Sequence, residues 1–172
     1  MSRAFVKETD GDQIGDELPE RPQSRYPNYV TPNGLAGLQA QLHELQEQRR
    51  RLAEHSDELL NKETLKHVER DLRYVQERVD RAILIDPAGQ PADEVSFGAT
   101  VKTVDENDNE RDFTIVGEDE ADVPAGKISW VSPLARAMMG AAVGDTVVWK
   151  RPAGDMELEI LSIRYADPAH KV

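Results

Sequence analysis

Asp57 and Glu58 stand side by side between two stretches whose apolar residues keep helical spacing. Two carboxylates near a bound Mg²⁺ can stabilise a second metal or orient a water for phosphodiester hydrolysis. A pair of this kind in a turn could help hold a Mg²⁺ that belongs to another enzyme. Acidic residues are also common in solvated helix turns, so both readings stay open. The run Glu118-Asp119-Glu120-Ala121-Asp122 could bind a cation and is read as a solvated loop. Of the histidines, His43 and His67 fall away from the apolar positions and are read as solvated. No P-loop, G-x-S-x-G or H-E-x-x-H motif occurs. No catalytic residue, intrinsic metal site or cofactor is therefore assigned.

Basic residues form a second set of candidates. Arg49, Arg50 and Arg51 cluster on the first helical stretch, and Lys62, Lys66, Arg70, Arg73, Arg78 and Arg81 line the second. Several have an acid three or four residues away, such as Lys66 with Glu69 or Arg73 with Glu77, a spacing that pairs on a helix surface. A solvated face is the reading preferred, with Arg49, Arg50 and Arg51 kept as candidate RNA contacts.

The elements that position these residues are legible from spacing. Leu35, Leu38, Leu42, Leu45, Arg49 and Leu52 step by three and four, as do Leu65, Val68, Leu72, Val75, Val79 and Ala82. Folding the chain between Glu58 and Leu59 sets 52 against 65, 49 against 68, 45 against 72, 42 against 75, 38 against 79 and 35 against 82. Alternating spacing of this kind is the seam of a coiled coil, and a mirror with a short turn makes it antiparallel and intramolecular. Arg49 occupies a seam position opposite Val68 and is expected to snorkel outward. Thr31 is the expected N-cap, with Pro32 in the first turn. Helix one is expected to reach about Glu54, and helix two to run from about Glu63 to about Leu84. Leu59 and Leu60 either cap the end of the seam or face a partner, and capping is favoured.

Composition sets the class. The chain has 172 residues, 38% hydrophobic content, no cysteine and a net charge of −12. This allows one or two small domains, with no disulfide framework and no zinc ribbon. No apolar run approaches the ~18 residues of a membrane span, and the N-terminus lacks a signal-peptide centre. The expectation is a soluble cytoplasmic monomer without a membrane partner. Residues 31–84 are nearly neutral, with nine Lys/Arg against ten Asp/Glu, whereas residues 95–165 hold seven against thirteen. A surface this acidic does not hold duplex DNA unaided, because phosphate contacts need local positive charge. Any DNA association would run through a protein partner with basic surfaces.

The chain divides accordingly. Residues 1–30 read as a disordered or extended arm, 31–85 as an antiparallel coiled-coil hairpin and 86–94 as a linker. Residues 95–166 form a second domain, and 167–172 a tail. In the second domain, strands are expected over 97–104, 112–116, 128–131, 146–150 and 157–165. One short helix, Leu134 to Met139, is opened by Ser132-Pro133 and closed by Gly140. The class is α+β, a helical hairpin followed by an antiparallel sheet domain with one short helix.

The second domain carries Phe97-Gly98, Ile115-Val116-Gly117, Glu120-Ala121-Asp122 and Gly126-Lys127-Ile128-Ser129. After them come Ser132-Pro133-Leu134-Ala135-Arg136-Ala137, Val143-Gly144-Asp145, Pro152-Ala153-Gly154 and Ile163-Arg164-Tyr165. In these motifs, and in their order, it resembles the C-terminal domain of the bacterial Gre transcription elongation factors. Val30-Thr31-Pro32-Asn33-Gly34-Leu35 and Ile85-Asp86 resemble the family's hairpin entry and exit. Met1 to Glu8 resembles a GreB-type subgroup with an N-terminal arm. The resemblance implies an FKBP-like fold for the second domain. It implies docking at the rim of the RNA polymerase secondary channel, on the β′ subunit, through the stretch holding Val131, Ser132 and Pro133. GreB-like members tend to be acidic at the position of Val131.

The resemblance further implies a hairpin that enters the channel and stimulates the polymerase's own cleavage of backtracked RNA, the factor itself being no enzyme. Asp57 and Glu58 would then approach the polymerase Mg²⁺. The tip departs from the family, whose cleaving members carry an Asp and a Glu three residues apart in a Gly-Asp-x-Ser-Glu-Asn-Ala type of loop. Adjacent helical residues point about 100° apart and share no face. The hairpin is also shorter by roughly one heptad per arm, ~10 Å of reach. The expectation is a channel factor that tunes backtracked or paused complexes without strong cleavage. The alternative is an interaction module like the regulators of nucleoside diphosphate kinase, which share the C-terminal domain. An FKBP-type prolyl isomerase is a weaker idea, since fold alone does not carry function.

Overall fold

The computed structural model describes residues 18–55, 59–90 and 93–166. An extended stretch leads into β1 (Asn28–Val30). Then come α1 (Pro32–Glu54), α2 (Leu59–Asp80) and β2 (Ala82–Leu84). The second unit holds β3 (Ala99–Asp105), β4 (Glu110–Val116), β5 (Lys127–Ser129), α3 (Pro133–Met138), β6 (Thr146–Trp149) and β7 (Met156–Tyr165). Short 3-10 turns occupy Pro87–Gly89, Glu118–Glu120 and Val123–Ala125. No described helix is long and apolar enough to cross a membrane.

α1 starts where its cap chemistry directs. The Thr31 hydroxyl accepts from the Gly34 N–H at 2.9 Å, and Pro32 fills the first turn, where no N–H is needed. The hairpin buries the expected seam. Val30, Leu38 and Val75 form its centre, packed by Leu35, Leu42, Leu45, Tyr74, Val79 and Ala82. Arg49 leaves the seam and pairs with Glu69 at 3.4 Å. That carboxylate lies one residue from Val68, so the guanidinium exits past its predicted partner.

Two boundaries differ from expectation. α2 begins at Leu59 rather than near Glu63, and it ends at Asp80 rather than Leu84. The early end has a non-local cause. Asn28, Tyr29 and Val30 pair in parallel with Ala82, Ile83 and Leu84, and the Ile85 N–H reaches the Val30 carbonyl at 3.0 Å. Strand pairing with the arm captures an apolar, partly β-branched triplet that spacing alone places in the helix.

The five-stranded sheet has the order β5-β4-β3-β7-β6, antiparallel except for the β4–β5 pair. β3 turns its buried Ala99, Val101 and Thr103 inward by simple alternation. β7 needs a correction midway. Ser162 pairs with Lys102 and Ile160 with Thr103, leaving Leu161 as an extra residue. This bulge lets Leu158 and Ile160 before it, and Ile163 and Tyr165 after it, all meet the same core. α3 closes one face with Leu134, Ala135 and Met138, each almost fully buried.

Candidate functional site

Asp57 and Glu58 lie outside the described residues. On either side of them, the His55 carbonyl accepts from the Asn61 side chain at 2.8 Å, and the His55 ring meets the Arg51 carbonyl at 3.2 Å. Leu59 and Leu60, expected to cap the seam, instead project from the first turn of α2 at 76% and 75% exposure. Neither covers the seam, whose positions on α2 start at Leu65.

Two arginines of the cluster meet carboxylates, Arg50 on its own helix and Arg49 across the seam on α2. Arg50 meets Glu47 at 2.6 Å and Glu54 at 3.9 Å, and Arg49 is held by Glu69. Such exposed pairs are worth little, about 0.2–1 kcal/mol each, and yield easily to a competing anion. Arg51 is exposed at the last turn of α1.

The stretch Val131, Ser132 and Pro133, expected to dock, is well ordered by its own bonds. The Ser132 hydroxyl caps α3 by accepting from the Ala135 N–H at 3.2 Å, and Pro133 is exposed at the first helical position. The Val131 N–H donates to the Ser129 hydroxyl at 3.3 Å. Trp130, just before, packs on Tyr29 and on Tyr26 with ring centroids 4.9 and 6.0 Å away. The stretch thus sits beside the segment that joins the two units.

That joint was not legible from the sequence. Arg78, read as part of a solvated face, is 1% exposed. Its Nε donates to Asp119 at 2.8 Å, and one terminal nitrogen donates to the Asn28 side-chain oxygen at 2.6 Å. Asn28 returns a bond from its amide nitrogen to the Arg78 carbonyl, also at 2.6 Å. Glu118 lies 3.7 Å from the same guanidinium. Glu120 accepts from the Thr31 hydroxyl and pairs with Lys127. The acidic run is therefore no solvated loop over Glu118, Asp119 and Glu120: it is the sheet domain's half of the joint. Asp122 alone keeps a local role, capping the next turn at the Ala125 N–H. Among the described residues, no cluster of His, Asp or Glu is arranged to hold a metal.

Backbone closeness sharpens the joint. A Cβ at Gly117 would stand 2.4 Å from the Tyr29 carbonyl oxygen. Gly117→Ala is expected to force the units apart and to cost about 1–3 kcal/mol, as overpacking does. Gly37→Ala has open space around its Cβ on exposed α1 and should stabilise by about 0.5–1 kcal/mol. Thermal denaturation of the two variants should give opposite signs. Equal and small shifts would mean that the joint is loose.

Residues 90–165 match the family described as transcription elongation factor, GreA/GreB, C-terminal. The chain is 37% identical over 153 residues to transcription elongation factor GreB of Neisseria meningitidis serogroup B, covering 80% of this chain and 94% of that protein. It is 38% identical over 151 residues to transcription elongation factor GreA of Rhizobium leguminosarum bv. trifolii, covering 79% and 96%. Among solved structures, it is similar to a prokaryotic transcription elongation factor GreA/GreB from Nitrosomonas europaea. That likeness has a TM-score of 0.40 and 23% identity, covering 80% and 98%.

Proposed function

Because the chain belongs to the GreA/GreB family of transcription elongation factors, we propose that it acts on RNA polymerase, with its hairpin entering the secondary channel. The sheet domain docks at the β′ rim through Val131, Ser132 and Pro133. The factor tunes backtracked or paused complexes and stimulates cleavage weakly or not at all. It has no catalytic group of its own, and any RNA cleavage belongs to the polymerase and its Mg²⁺. It works as a monomer in the cytoplasm, with Arg49, Arg50 and Arg51 as candidate contacts for nascent RNA.

The observation that carries this reading is the extent of the relatedness. The match to GreB covers 80% of the chain, far more than the C-terminal domain at residues 90–165, so hairpin and sheet domain are inherited together. The relatives named above are elongation factors in name, which leaves the kinase-regulator alternative without support. The joint adds a physical reason. Arg78, Asn28 and Asp119 fix the direction in which the rod leaves the sheet domain, as a probe aimed from a docked base requires.

Binding to purified RNA polymerase tests the proposal. The chain should bind core enzyme and displace another channel-entering factor. Pro133→Glu, an exposed change that leaves the core intact, should weaken binding at least tenfold, about 1.4 kcal/mol. Unaltered binding by that variant would remove α3 from the docking surface. No binding of the unmodified protein would remove the polymerase altogether.

A further inference from the structure

Basic side chains on the hairpin are mostly answered by carboxylates. Arg49 meets Glu69, Arg50 meets Glu47, Lys66 meets Glu63, Arg73 meets Glu20 and Arg81 meets Glu77. Two arginines depart from that pattern at one place. Arg25 in the arm and Arg136 in α3 approach the same Tyr26 ring, their guanidinium carbons 5.3 and 5.2 Å from its centroid. Both are exposed, and among the described residues neither forms an ion pair. Arg25 also reaches the Tyr26 hydroxyl at 3.4 Å. Hydrogen bonding from Arg25, then from Arg136, holds the phenol below its ordinary value, as expected in a positive potential.

The patch is held in place by the arm. Glu20 pairs with Arg73, and Arg21 lies 3.9 Å over the Tyr74 ring. Gln23 donates to the Tyr74 carbonyl at 3.1 Å, and Ser24 donates to Glu118 at 3.0 Å. These contacts run from α2 to the acidic turn of the sheet domain. They deliver Arg25 and Tyr26 to α3, one turn beyond Ser132 and Pro133. Two like charges beside one ring repel, and a carboxylate between them relieves that repulsion while gaining planar, charge-assisted hydrogen bonds.

We propose that Arg25, Tyr26 and Arg136 form a carboxylate-reading patch that extends the docking face of the sheet domain onto acidic side chains of RNA polymerase. The inference rests on the polymerase reading above and adds the arm to the docking surface. A protein partner is favoured over RNA. The patch holds only two guanidinium groups, it stands beside Glu118, and the chain carries a net −12, whereas phosphate strands need a longer positive strip.

The test is affinity for core RNA polymerase as a function of salt, for four proteins. The unmodified chain should weaken steeply with salt. Arg25→Ala with Arg136→Ala should bind about tenfold more weakly at low salt and lose part of that salt dependence. Arg25→Lys with Arg136→Lys should recover part of the affinity, because charge returns without the planar fork. Circular dichroism should show both pairs folded as the unmodified chain is, since both side chains are exposed. Pro133→Glu serves as the reference for the docking face. If it weakens binding while the alanine pair binds within twofold of the unmodified chain at every salt concentration, the patch is overturned and the docking reading stands. Loss of affinity for a single-stranded RNA oligonucleotide, with polymerase affinity unchanged, would also overturn it and assign the patch to RNA. If the unmodified chain fails to bind polymerase, the functional reading falls and takes this inference with it.

Discussion

Arg78→Ala should lower folding stability by about 3 kcal/mol, toward the low end of the range for removing one partner from a buried ion pair. The low end applies because Asp119 keeps 23% exposure and can rehydrate when its partner is gone. Asn28 cannot: it is 3% exposed, and its side-chain oxygen would lose its charged donor. The truncation also empties the space of a side chain that is only 1% exposed. For a chain of this size, the melting temperature should fall by roughly 6–12 °C. Arg78→Lys should recover only part of the loss, since one ammonium cannot reproduce the fork that meets Asp119 and Asn28 together. A double-mutant cycle of Arg78→Ala with Asp119→Ala should return a coupling above about 1 kcal/mol. A single-variant loss below 1 kcal/mol would show that the joint is held by its apolar contacts instead. Because Arg78 also sets the rod's direction, the variant should bind polymerase more weakly even under conditions where it remains folded.

What could be read in advance, and what could not, follows from how local each feature is. The seam was legible because each of its positions repeats a local rule, and the helices pack those side chains together except Arg49, which turns out to solvent. The Thr31 and Ser132 caps were legible for the same reason: each bond closes within three residues. Arg78 carried no local mark. It shares α2 with Arg70 and the exposed Arg73, and its burial is imposed by Asn28, 50 residues earlier, and Asp119, 41 later. The acidic run is equally opaque, because Glu118, Asp119 and Glu120 each find a partner on the other unit, Ser24, Arg78 and Thr31 in turn. The end of α2 was misplaced because β1 captures Ala82, Ile83 and Leu84 from a distance. The Leu161 bulge escaped notice as well, although the shift from inward Leu158 and Ile160 to inward Ile163 and Tyr165 is a phase change visible in the sequence. The arm was legible only as polar and extended. Its role in joining the units depends on Glu20, Arg21, Gln23 and Ser24 meeting residues far along the chain.

Added to backtracked elongation complexes, the unmodified chain should raise the rate of RNA cleavage by less than about twofold. Asp57→Ala with Glu58→Ala should change that rate little. α1 is 23 residues long, about 35 Å of rod. If each arm is shorter than the family's by roughly one heptad, as the resemblance implies, its reach falls ~10 Å short. Oxygen ligands must come within about 2–2.6 Å of Mg²⁺ or Ca²⁺, so an error of that size removes direct metal assistance rather than weakening it. Side-by-side carboxylates compound the deficit, since neighbouring residues do not present both groups to one ion as a three-residue spacing can. The first described residues after that pair, Leu59 and Leu60, are exposed and apolar and offer no replacement ligand. Reach and spacing can be separated by gain of function. One heptad inserted into each arm keeps the seam in phase. Combined with an Asp and a Glu three residues apart at the turn, it should raise cleavage by roughly a hundredfold or more, the scale of a positioned acid–base or metal contribution. Lengthening alone, with adjacent carboxylates retained, should recover less. If the unmodified chain already stimulates cleavage strongly, and the double alanine variant abolishes it, then the docked base must sit closer to the active centre than the rod length implies. The shorter hairpin would then be matched to a deeper seat on the polymerase rather than to a loss of chemistry.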